Sequence, residues 1–211
     1  MKTSDATKTK KIVKEYVEPI LIAVLIALFV RTFIVQAFKI PSGSMEPTLL
    51  VGDYLMVNKF IYGIKIPYTE MKFFQFEKPK RGDVIVFVFP LDPSKDYIKR
   101  VIATEGEKVE IIQNKIYIND HLIDDPWGHF KREGPEWVLQ GMERFGPVVV
   151  PRHSLFVLGD NRNNSQDSRF WGFLHVNAVK GKAFILYFSW NHHGEHLLDM
   201  VRWSRIGKLI R

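Results

Sequence analysis

The chain has 211 residues, no cysteine and 46% hydrophobic residues, enough to bury a core in one domain or in one domain with a small appendage. These values exclude a largely disordered chain, a disulfide framework and a thiolate metal site. The net charge of +7 does not indicate a nucleic-acid-binding protein, because no block of basic residues is interleaved with aromatics and no helix-turn-helix, RNP-like or CxxC pattern occurs. Six of the 30 basic and three of the 23 acidic residues fall in residues 1–38, so attraction to an anionic membrane surface is the simpler explanation.

The first predicted element is the apolar segment ILIAVLIALFVRTFIVQAF, residues 20–38. Its length is close to the roughly 20 residues that a helix needs to span a bilayer. Its one charged residue, Arg31, costs roughly 2.5 to 3.5 kcal/mol near the centre of a membrane helix, which the surrounding apolar side chains can offset. Three interpretations are open: a membrane anchor, the core of a cleaved signal peptide, and a buried helix of a soluble protein. The last is disfavoured because the run has no polar face.

Basic residues precede this segment, and small residues lie near its end. The basic residues are Lys2, Lys8, Lys10, Lys11 and Lys14. Because positive residues stay on the cytoplasmic side, the sequence predicts a cytoplasmic N-terminus and places everything after residue 38 across the membrane. Val35 and Ala37 are small enough to form a cleavage site, so a cleaved peptide remains an alternative to the anchor. We expect a basic tail over residues 1–17, a transmembrane anchor over 18–38 and an extracytoplasmic domain over 39–211.

Short runs typical of β-strands follow residue 38. They are rich in β-branched and aromatic residues and lie at residues 52–60, 82–89, 96–103, 148–150, 154–160 and 182–190. Residues 108–120 have the pattern of a hairpin about a Gln113-Asn114 turn. No long helical segments alternate with these runs, so the predicted class is mainly β: an N-terminal single transmembrane helix followed by an antiparallel β domain. Weaker periodicity predicts a smaller inserted β/loop subdomain over about 61–80 and 108–151, leaving a core of about 39–60, 81–107 and 152–211.

Two serines stand directly after the apolar segment, in IPSGSMEPTLLVGD, residues 40–53. Ser42 and Ser44 flank Gly43, and such a sequence after a proline is most often a solvated turn. Here the surrounding apolar residues would place both hydroxyls on an apolar shelf where the chain leaves the membrane, which is unusual for a linker. A nucleophilic serine also needs a base to take its proton.

The seven histidines do not supply an obvious base. None lies in a recognisable catalytic setting, and the sequence has no G-x-S-x-G elbow. His193 and His196, or His192 and His196, could pair as metal ligands on a helical face, but without a HExxH pattern surface histidines are the preferred interpretation. We therefore predict no metal and no cofactor.

Lysine is the remaining candidate base. At its reference pKa, roughly one lysine in 2,500 is neutral at pH 7, so burial against apolar side chains must lower the pKa. Lys99 lies among strand-type residues in DYIKRVIA, residues 96–103. Strand alternation puts Lys99 and Arg100 on opposite faces and does not decide which faces inward, although only lysine can lose its proton.

The last notable segment is GDNRNNSQDSRFWGF, residues 159–173, in which turn-forming residues are crowded together. A structural loop with an Asp167–Arg169 ion pair is one interpretation. The other interpretation is that this loop delivers hydroxyls and amides to a functional site.

Together these segments resemble bacterial type I signal peptidases (leader peptidases), which are serine endopeptidases with a Ser/Lys dyad. IPSGSMEPTL resembles the nucleophile box of that family, RGDVIVF and DYIKRVIA its middle boxes, and GDNRNNSQDSRFWG its last box, in the same order and behind an N-terminal anchor. The resemblance implies that Ser44 is the nucleophile and that Lys99, rather than Arg100, faces it as general base. It also implies that the Ser42 hydroxyl and the Ser44 amide bind the oxyanion, while Ser165 orients the lysine amine.

Further roles follow from the same resemblance. Asp167 and Arg169 match a buried pair that shapes the site, and Asp160 lies in the same box as further structural support. Asn163 departs from the aspartate that the family commonly has there. The family cuts after small residues in an A-x-A pattern, which implies shallow apolar substrate pockets. The positions that match them are Phe38, Ile40, Pro41, Met45, Leu55, Val86, Tyr97 and Ile98.

The resemblance implies a membrane-bound enzyme that removes signal peptides from exported preproteins. It would be a single-pass protein of the bacterial plasma (inner) membrane, with its catalytic domain on the extracytoplasmic or periplasmic side. The expected partners are preproteins and the lipid bilayer, with the secretion translocon as a further candidate and no nucleic acid. Two alternatives are a Ser/Lys peptidase with another substrate, such as a pilin-processing enzyme or a relative of self-cleaving repressors, and a membrane-tethered β module that binds a partner without catalysis.

Overall fold

The computed structural model describes residues 13–65, 72–73, 76–130, 144–191 and 199–211. Two α-helices lie in these ranges, α1 (Glu18–Phe29) and α2 (Ser168–Trp171). The strands are β1 (Val35–Lys39), β2 (Asp53–Asn58), β3 (Ile64–Lys65), β4 (Lys72–Phe73), β5 (Val84–Val88), β6 (Asp96–Thr104), β7 (Lys108–Ile112), β8 (Lys115–Ile118), β9 (His121–Leu122), β10 (Arg144–Val149), β11 (Ser154–Leu158), β12 (Leu174–His175) and β13 (Val179–Ser189). Lys2, Lys8, Lys10 and Lys11 of the predicted basic tail lie outside the described residues.

The N-terminal helix is long and apolar enough to cross a membrane. Together with π-helical turns at both ends, α1 forms a continuous helix from Lys14 to Ile34, 21 residues long, and none of the residues of α1 is buried. The helix ends before residue 38, because residues 35–39 form β1 and pair with β2. The apolar run over residues 20–38 is therefore divided between a helix and a strand at the edge of the seven-stranded sheet, which is the main sheet of the domain.

The described strands form two sheets and a short ribbon. The seven-stranded sheet has the order β1-β2-β13-β5-β6-β11-β12, and the four-stranded sheet has the order β10-β7-β8-β9, while β3 pairs with β4. Every pair of named strands is antiparallel. The β7–β8 hairpin turns at Gln113 and Asn114, whose φ angles of 50° and 66° suit a two-residue hairpin turn. The predicted mainly β class, with an antiparallel domain and a smaller inserted subdomain, is confirmed.

The main sheet is buried on both faces. Val84 and Val86 of β5 belong to one core cluster, whereas Ile85 and Phe87 belong to another. Since alternate residues of a strand point to opposite faces, the two clusters cover opposite faces of the sheet. This double burial explains the unbroken apolar run in β5.

The two sheets also share a hydrophobic core. Ile102 and Phe156 of the main sheet pack in one buried cluster with Val109, Ile111 and Ile116 of the four-stranded sheet. The smaller sheet is thus fixed against the strands that hold the candidate site, rather than joined to them only by a linker.

Candidate active site

The turn that carries Ser44 is held by the core beneath it. Immediately after β1, the Ile40 amide donates a hydrogen bond to the Asp53 carbonyl, with an N–O distance of 2.8 Å. The chain then forms one 3-10 turn, Gly43–Met45, in which the Met45 side chain is fully buried. Ser44 itself is only half-buried and lines an open cleft. The apolar residues of this segment therefore fix the Ser44 backbone and leave the residue at a surface that a substrate can reach.

Lys99 reaches Ser44 from strand β6. Its Nζ lies 2.7 Å from Ser44 Oγ and 3.0 Å from the carbonyl oxygen of Ile98. The residue is only 3% exposed, although it is a lysine. Lysine is rarely buried to this degree without a carboxylate partner, so this position is chemically unusual.

Burial lowers the pKa of the Lys99 amine to about 8, because the ammonium form loses its hydration. The carboxylates of Asp167 and Asp160 oppose this shift, and the guanidinium of Arg169 adds to it. At pH 7 an amine with a pKa of 8 is neutral in about one molecule in ten, compared with roughly one in 2,500 for an ordinary lysine. The amine can therefore accept a proton near neutral pH.

Arg100, the next residue, points to the other side of β6. Its guanidinium donates two hydrogen bonds to the Asp160 carboxylate, with distances of 2.8 Å (Nε–Oδ1) and 2.6 Å (Nη2–Oδ2), and neither side chain is exposed. Thr48 Oγ1 donates a further hydrogen bond to Asp160 Oδ2 at 2.6 Å. The Trp127 ring covers the guanidinium, with its centroid 4.6 Å from Cζ. Both Lys99 and Arg100 are buried, which is why alternation alone does not distinguish them.

The loop that follows β11 packs directly against the serine turn. Asp167 accepts hydrogen bonds from Arg169 Nε and Nη2 at 2.7 and 2.8 Å, and from the Gly159 amide at 3.0 Å. A Cβ atom on Gly159 would lie 2.2 Å from Ser165 Oγ and 2.4 Å from the Ser44 carbonyl oxygen. The loop can approach Ser44 this closely only because residue 159 has no side chain.

The cleft contains about 480 Å³. Ser44, Lys99 and Ser165 line it, together with three residues that sequence reasoning missed, Asp96, Asn164 and Gln166. Tyr97 Oη and Gln166 Oε1 approach to 3.4 Å across it. The signal for two of these residues was present, because Asn164 and Gln166 flank Ser165 in the polar loop.

Residues 13–190 match the family described as "Signal peptidase, peptidase S26". The chain belongs to this family. A signal peptidase I of Pseudomonas fluorescens is 35% identical over 227 residues, which cover 92% of this chain and 78% of the relative. A signal peptidase I of Aquifex aeolicus is 35% identical over 228 residues, covering 83% and 84%. The crystal structure of a signal peptidase I from Enterococcus faecalis V583 is 31% identical, with a TM-score of 0.40, and covers 50% of this chain and 97% of that one.

Membership of the signal peptidase family confirms the resemblance drawn from the sequence and makes the chain a peptidase. With the unburied apolar helix, it also supports a membrane-anchored protein. The individual roles that the resemblance implies remain predictions, and the structure shows where each residue lies.

Ser42 and Ser165 both line the cleft near Ser44. Ser42 is exposed, whereas Ser165 is only 2% exposed. Ser165 Oγ has no hydrogen-bond partner among the described groups, the Lys99 amine included. Its role in orienting the lysine stays a prediction. Asn163, at the position where the resemblance implies an aspartate, is 6% exposed.

The predicted pocket residues fall into two groups. Pro41, Tyr97 and Ile98 line the cleft. The others belong to or pack against the core cluster under the serine turn: Ile40, Met45, Leu55, Val86 and Phe38. These five contribute to that core, and a direct role in substrate selection stays a prediction for all eight.

The histidines that could pair as metal ligands, His192, His193 and His196, lie outside the described residues. Within the ranges that the structure describes, no three His, Cys, Asp or Glu side chains are grouped to hold a metal ion. The prediction that the enzyme needs neither metal nor cofactor stays a prediction.

Proposed function

We propose that this chain is a membrane-bound serine endopeptidase that cleaves N-terminal signal peptides from exported preproteins after small residues, with Ser44 as nucleophile and Lys99 as general base. The observation that carries the proposal is the 2.7 Å distance between Lys99 Nζ and Ser44 Oγ, at an amine whose residue is 3% exposed. A serine needs a positioned base, and a lysine can act as one only when it is desolvated enough to lose its proton.

Acylation of the enzyme uses both residues. The neutral Lys99 amine accepts the hydroxyl proton as Ser44 Oγ forms a bond to the scissile carbonyl carbon, and the π electrons of the carbonyl move onto its oxygen. The Ser42 hydroxyl and the Ser44 amide are the proposed donors to this oxyanion. When the oxyanion collapses, the C–N bond breaks and the Lys99 ammonium gives its proton to the leaving amine.

Deacylation then reverses these roles with water. The neutral Lys99 amine takes a proton from a water molecule, whose oxygen attacks the acyl carbon. Collapse of the second oxyanion breaks the bond to Ser44 Oγ, and the ammonium returns the proton to the serine. The enzyme recovers its initial state with one peptide bond hydrolysed.

Selection of small residues fits a cleft with Pro41 and Ile98 in its wall. A single methylene is worth only about 1 to 3 kcal/mol in an apolar pocket, so steric exclusion has to add to the discrimination. Docking of the substrate as an extended strand would align its side chains alternately with the cleft wall.

The helix serves as a retained anchor in this proposal. The enzyme would be a single-pass protein of the plasma (inner) membrane, with its N-terminus in the cytoplasm and its β domain on the other side. Ala37, the last residue of the alternative cleavage site, is paired with Met56 within the main sheet, which supports retention of the helix. N-terminal sequencing of the mature protein tests this, since a chain that begins near residue 38 would show that the helix is removed. The translocon stays a candidate partner that a pull-down from membranes would test.

The decisive experiment compares the purified full chain with Ser44→Ala and Lys99→Ala. Each is incubated with a preprotein and with an unrelated membrane protein, and the products are sequenced. We expect the wild type to cut the preprotein after a small residue, and both variants to lose at least about a hundredfold in rate. Equal cleavage by all three would eliminate the dyad as the source of the activity, and no cleavage by any of them would leave the non-catalytic binding module. Cleavage of the unrelated protein alone would indicate another peptidase substrate.

A further inference from the structure

A loop from the inserted subdomain contacts the loop that follows β11 through its backbone. Residues 125–130 follow β9 and lie beside residues 159–162. The His129 amide donates to the Asp160 carbonyl at 2.7 Å, and the Arg162 amide donates to the His129 carbonyl at 2.9 Å. These two hydrogen bonds form a parallel bridge between His129 and Asn161. The bridge fixes the backbone of Asn161 on both sides.

An ion pair with a fully buried guanidinium and a carboxylate that is 13% exposed joins the same two segments. The two terminal nitrogens of the Arg162 guanidinium, Nη1 and Nη2, each donate a hydrogen bond to the Asp125 carboxylate, and the Nη2–Oδ1 distance is 2.8 Å. The Arg162 side chain has no exposed surface, and its Nε also donates to the Gly159 carbonyl at 3.0 Å. A Cβ on Gly128 would lie 2.5 Å from Asp125 Oδ2 and 2.9 Å from Arg162 Nη1, so the loop is closely packed around the pair.

Asn161 in turn holds the turn that carries the serine. Its backbone amide donates to the Ser44 carbonyl, and its side-chain Nδ2 donates to the Gly43 carbonyl, both at 3.1 Å. The residue is 3% exposed. One asparagine therefore binds two consecutive carbonyls of the serine turn. Lys99, by contrast, comes from β6, so the distance between amine and hydroxyl depends on how this turn is held.

We propose that Asn161 is a positioning residue for Ser44, and that the inserted loop 125–130 acts through it by means of the Asp125–Arg162 pair and the His129 bridge. The inference rests on the proposed function, since it assigns the inserted subdomain a part in that reaction. A shift of about 1 Å in a reacting group can lower a rate by about a hundredfold. Loss of the hydrogen bond from Asn161 to Gly43, or of the Asp125–Arg162 ion pair, therefore lowers the rate of the chemical step. The cleft wall that binds substrate stays unchanged.

The test uses Asn161→Ala and Asp125→Asn in the full chain, with Asp120→Asn as the matched control. Asp120 is also an aspartate of the inserted subdomain in an ion pair, but its side chain is 68% exposed and its partner is Lys108 of β7 rather than a residue of the loop that follows β11. We expect kcat to fall about 10- to 100-fold for the first two variants, with KM for a preprotein within about twofold of the wild type. The control should keep both constants. Thermal unfolding of each variant is recorded, and the assays are run well below the lowest midpoint.

The double variant Asp125→Asn/Asn161→Ala separates a shared role from two independent ones. If the loop acts through Asn161, the double variant loses about as much in kcat as the larger single loss. Losses that multiply would overturn the link between the loop and Asn161, and a kcat for Asn161→Ala within twofold of the wild type would overturn the positioning role. Because Asp125→Asn leaves a buried guanidinium without its charged partner, Gly128→Ala, which crowds the same pair, replaces it if that variant does not fold.

The variant Ser44→Ala distinguishes failure of the positioning role of Asn161 from failure of the proposed function. Cleavage of the preprotein by Ser44→Ala refutes the dyad itself. Cleavage by the wild type, none by Ser44→Ala and normal kcat in Asn161→Ala refute only the positioning role.

Discussion

The pH dependence of cleavage tests the buried amine directly. Raising the pH converts the Lys99 ammonium to the neutral amine that accepts the serine proton. With a pKa of about 8, kcat/KM should rise about tenfold per pH unit below pH 7 and level off above about pH 9. Activity thus increases with pH, because the deprotonated form is the active one.

The size of the effect follows from the shift of the Lys99 pKa from 10.5 to about 8. A shift of this size corresponds to about 3 kcal/mol between the two protonation states, and to a roughly 300-fold larger neutral fraction at pH 7. Removal of water from the ammonium supplies this energy, and the Coulomb attraction of Asp167 and Asp160 reduces it.

The assay measures initial rates of preprotein cleavage from pH 6 to pH 10.5 at constant ionic strength. Lys99→Arg is the control, since a guanidinium keeps its proton throughout this range and should be inactive at every pH. An inflection near 6.5 would point to a histidine base. An inflection near 10.5 would show an amine that water still solvates, and either result would refute the dyad as described.

Three further outcomes follow from the same contacts. Lys99→Met should be about 1 to 2 kcal/mol more stable than the wild type at pH 7, because it removes the cost of burying an ammonium but loses two hydrogen bonds. Since the folded pKa is depressed, the cost of burying the ammonium should fall between pH 8 and 10.5 and vanish above, so at high pH the variant becomes less stable than the wild type by the hydrogen bonds it has lost; urea denaturation at several pH values would check this change of sign. Gly159→Ala should lower kcat at least about tenfold, because its Cβ would displace the Ser44 carbonyl, and unchanged kinetics would contradict that steric account. Asp160→Asn should destabilise the fold by about 3 to 5 kcal/mol by leaving the buried Arg100 without a charged partner, and a loss below about 1 kcal/mol in urea would show that the pair is dispensable.

The elements with strong local patterns could be predicted from the sequence. The alternating hairpin over residues 108–120 and the apolar strand at 82–89 became β7, β8 and β5. Their turn residues and β-branched runs act over a few positions, so they can be recognised without knowledge of the rest of the fold. The boundary between helix and strand near residue 35 could not be placed this way, because apolar residues such as those at 33–38 occur in membrane helices and in strands alike, and only pairing with β2 decides for the strand.

The candidate site could be predicted only in part, because contacts between residues that are distant in sequence bring its side chains together. Periodicity left Lys99 and Arg100 equivalent, and only the resemblance to a family chose between them. The contacts of Arg100 with Asp160 and Trp127 join residues that are 60 and 27 positions apart. The hydrogen bond from Asn161 Nδ2 to the Gly43 carbonyl joins residues that are 118 positions apart. Such contacts depend on the order of strands in the sheet, which no short segment determines.

Strand β1 has a consequence for where cleavage can occur. It runs straight from the end of the helix at Ile34 to the segment that carries Ser44, and it is hydrogen-bonded to β2 along its length. An extended chain advances roughly 3.3 Å per residue, so ten residues cannot carry the nucleophile more than about 33 Å from the helix end. If the helix lies in the bilayer, this strand is a rigid spacer that sets the height of the reaction above the lipid. One inserted residue would change that height and also turn every later side chain of the strand to the opposite face.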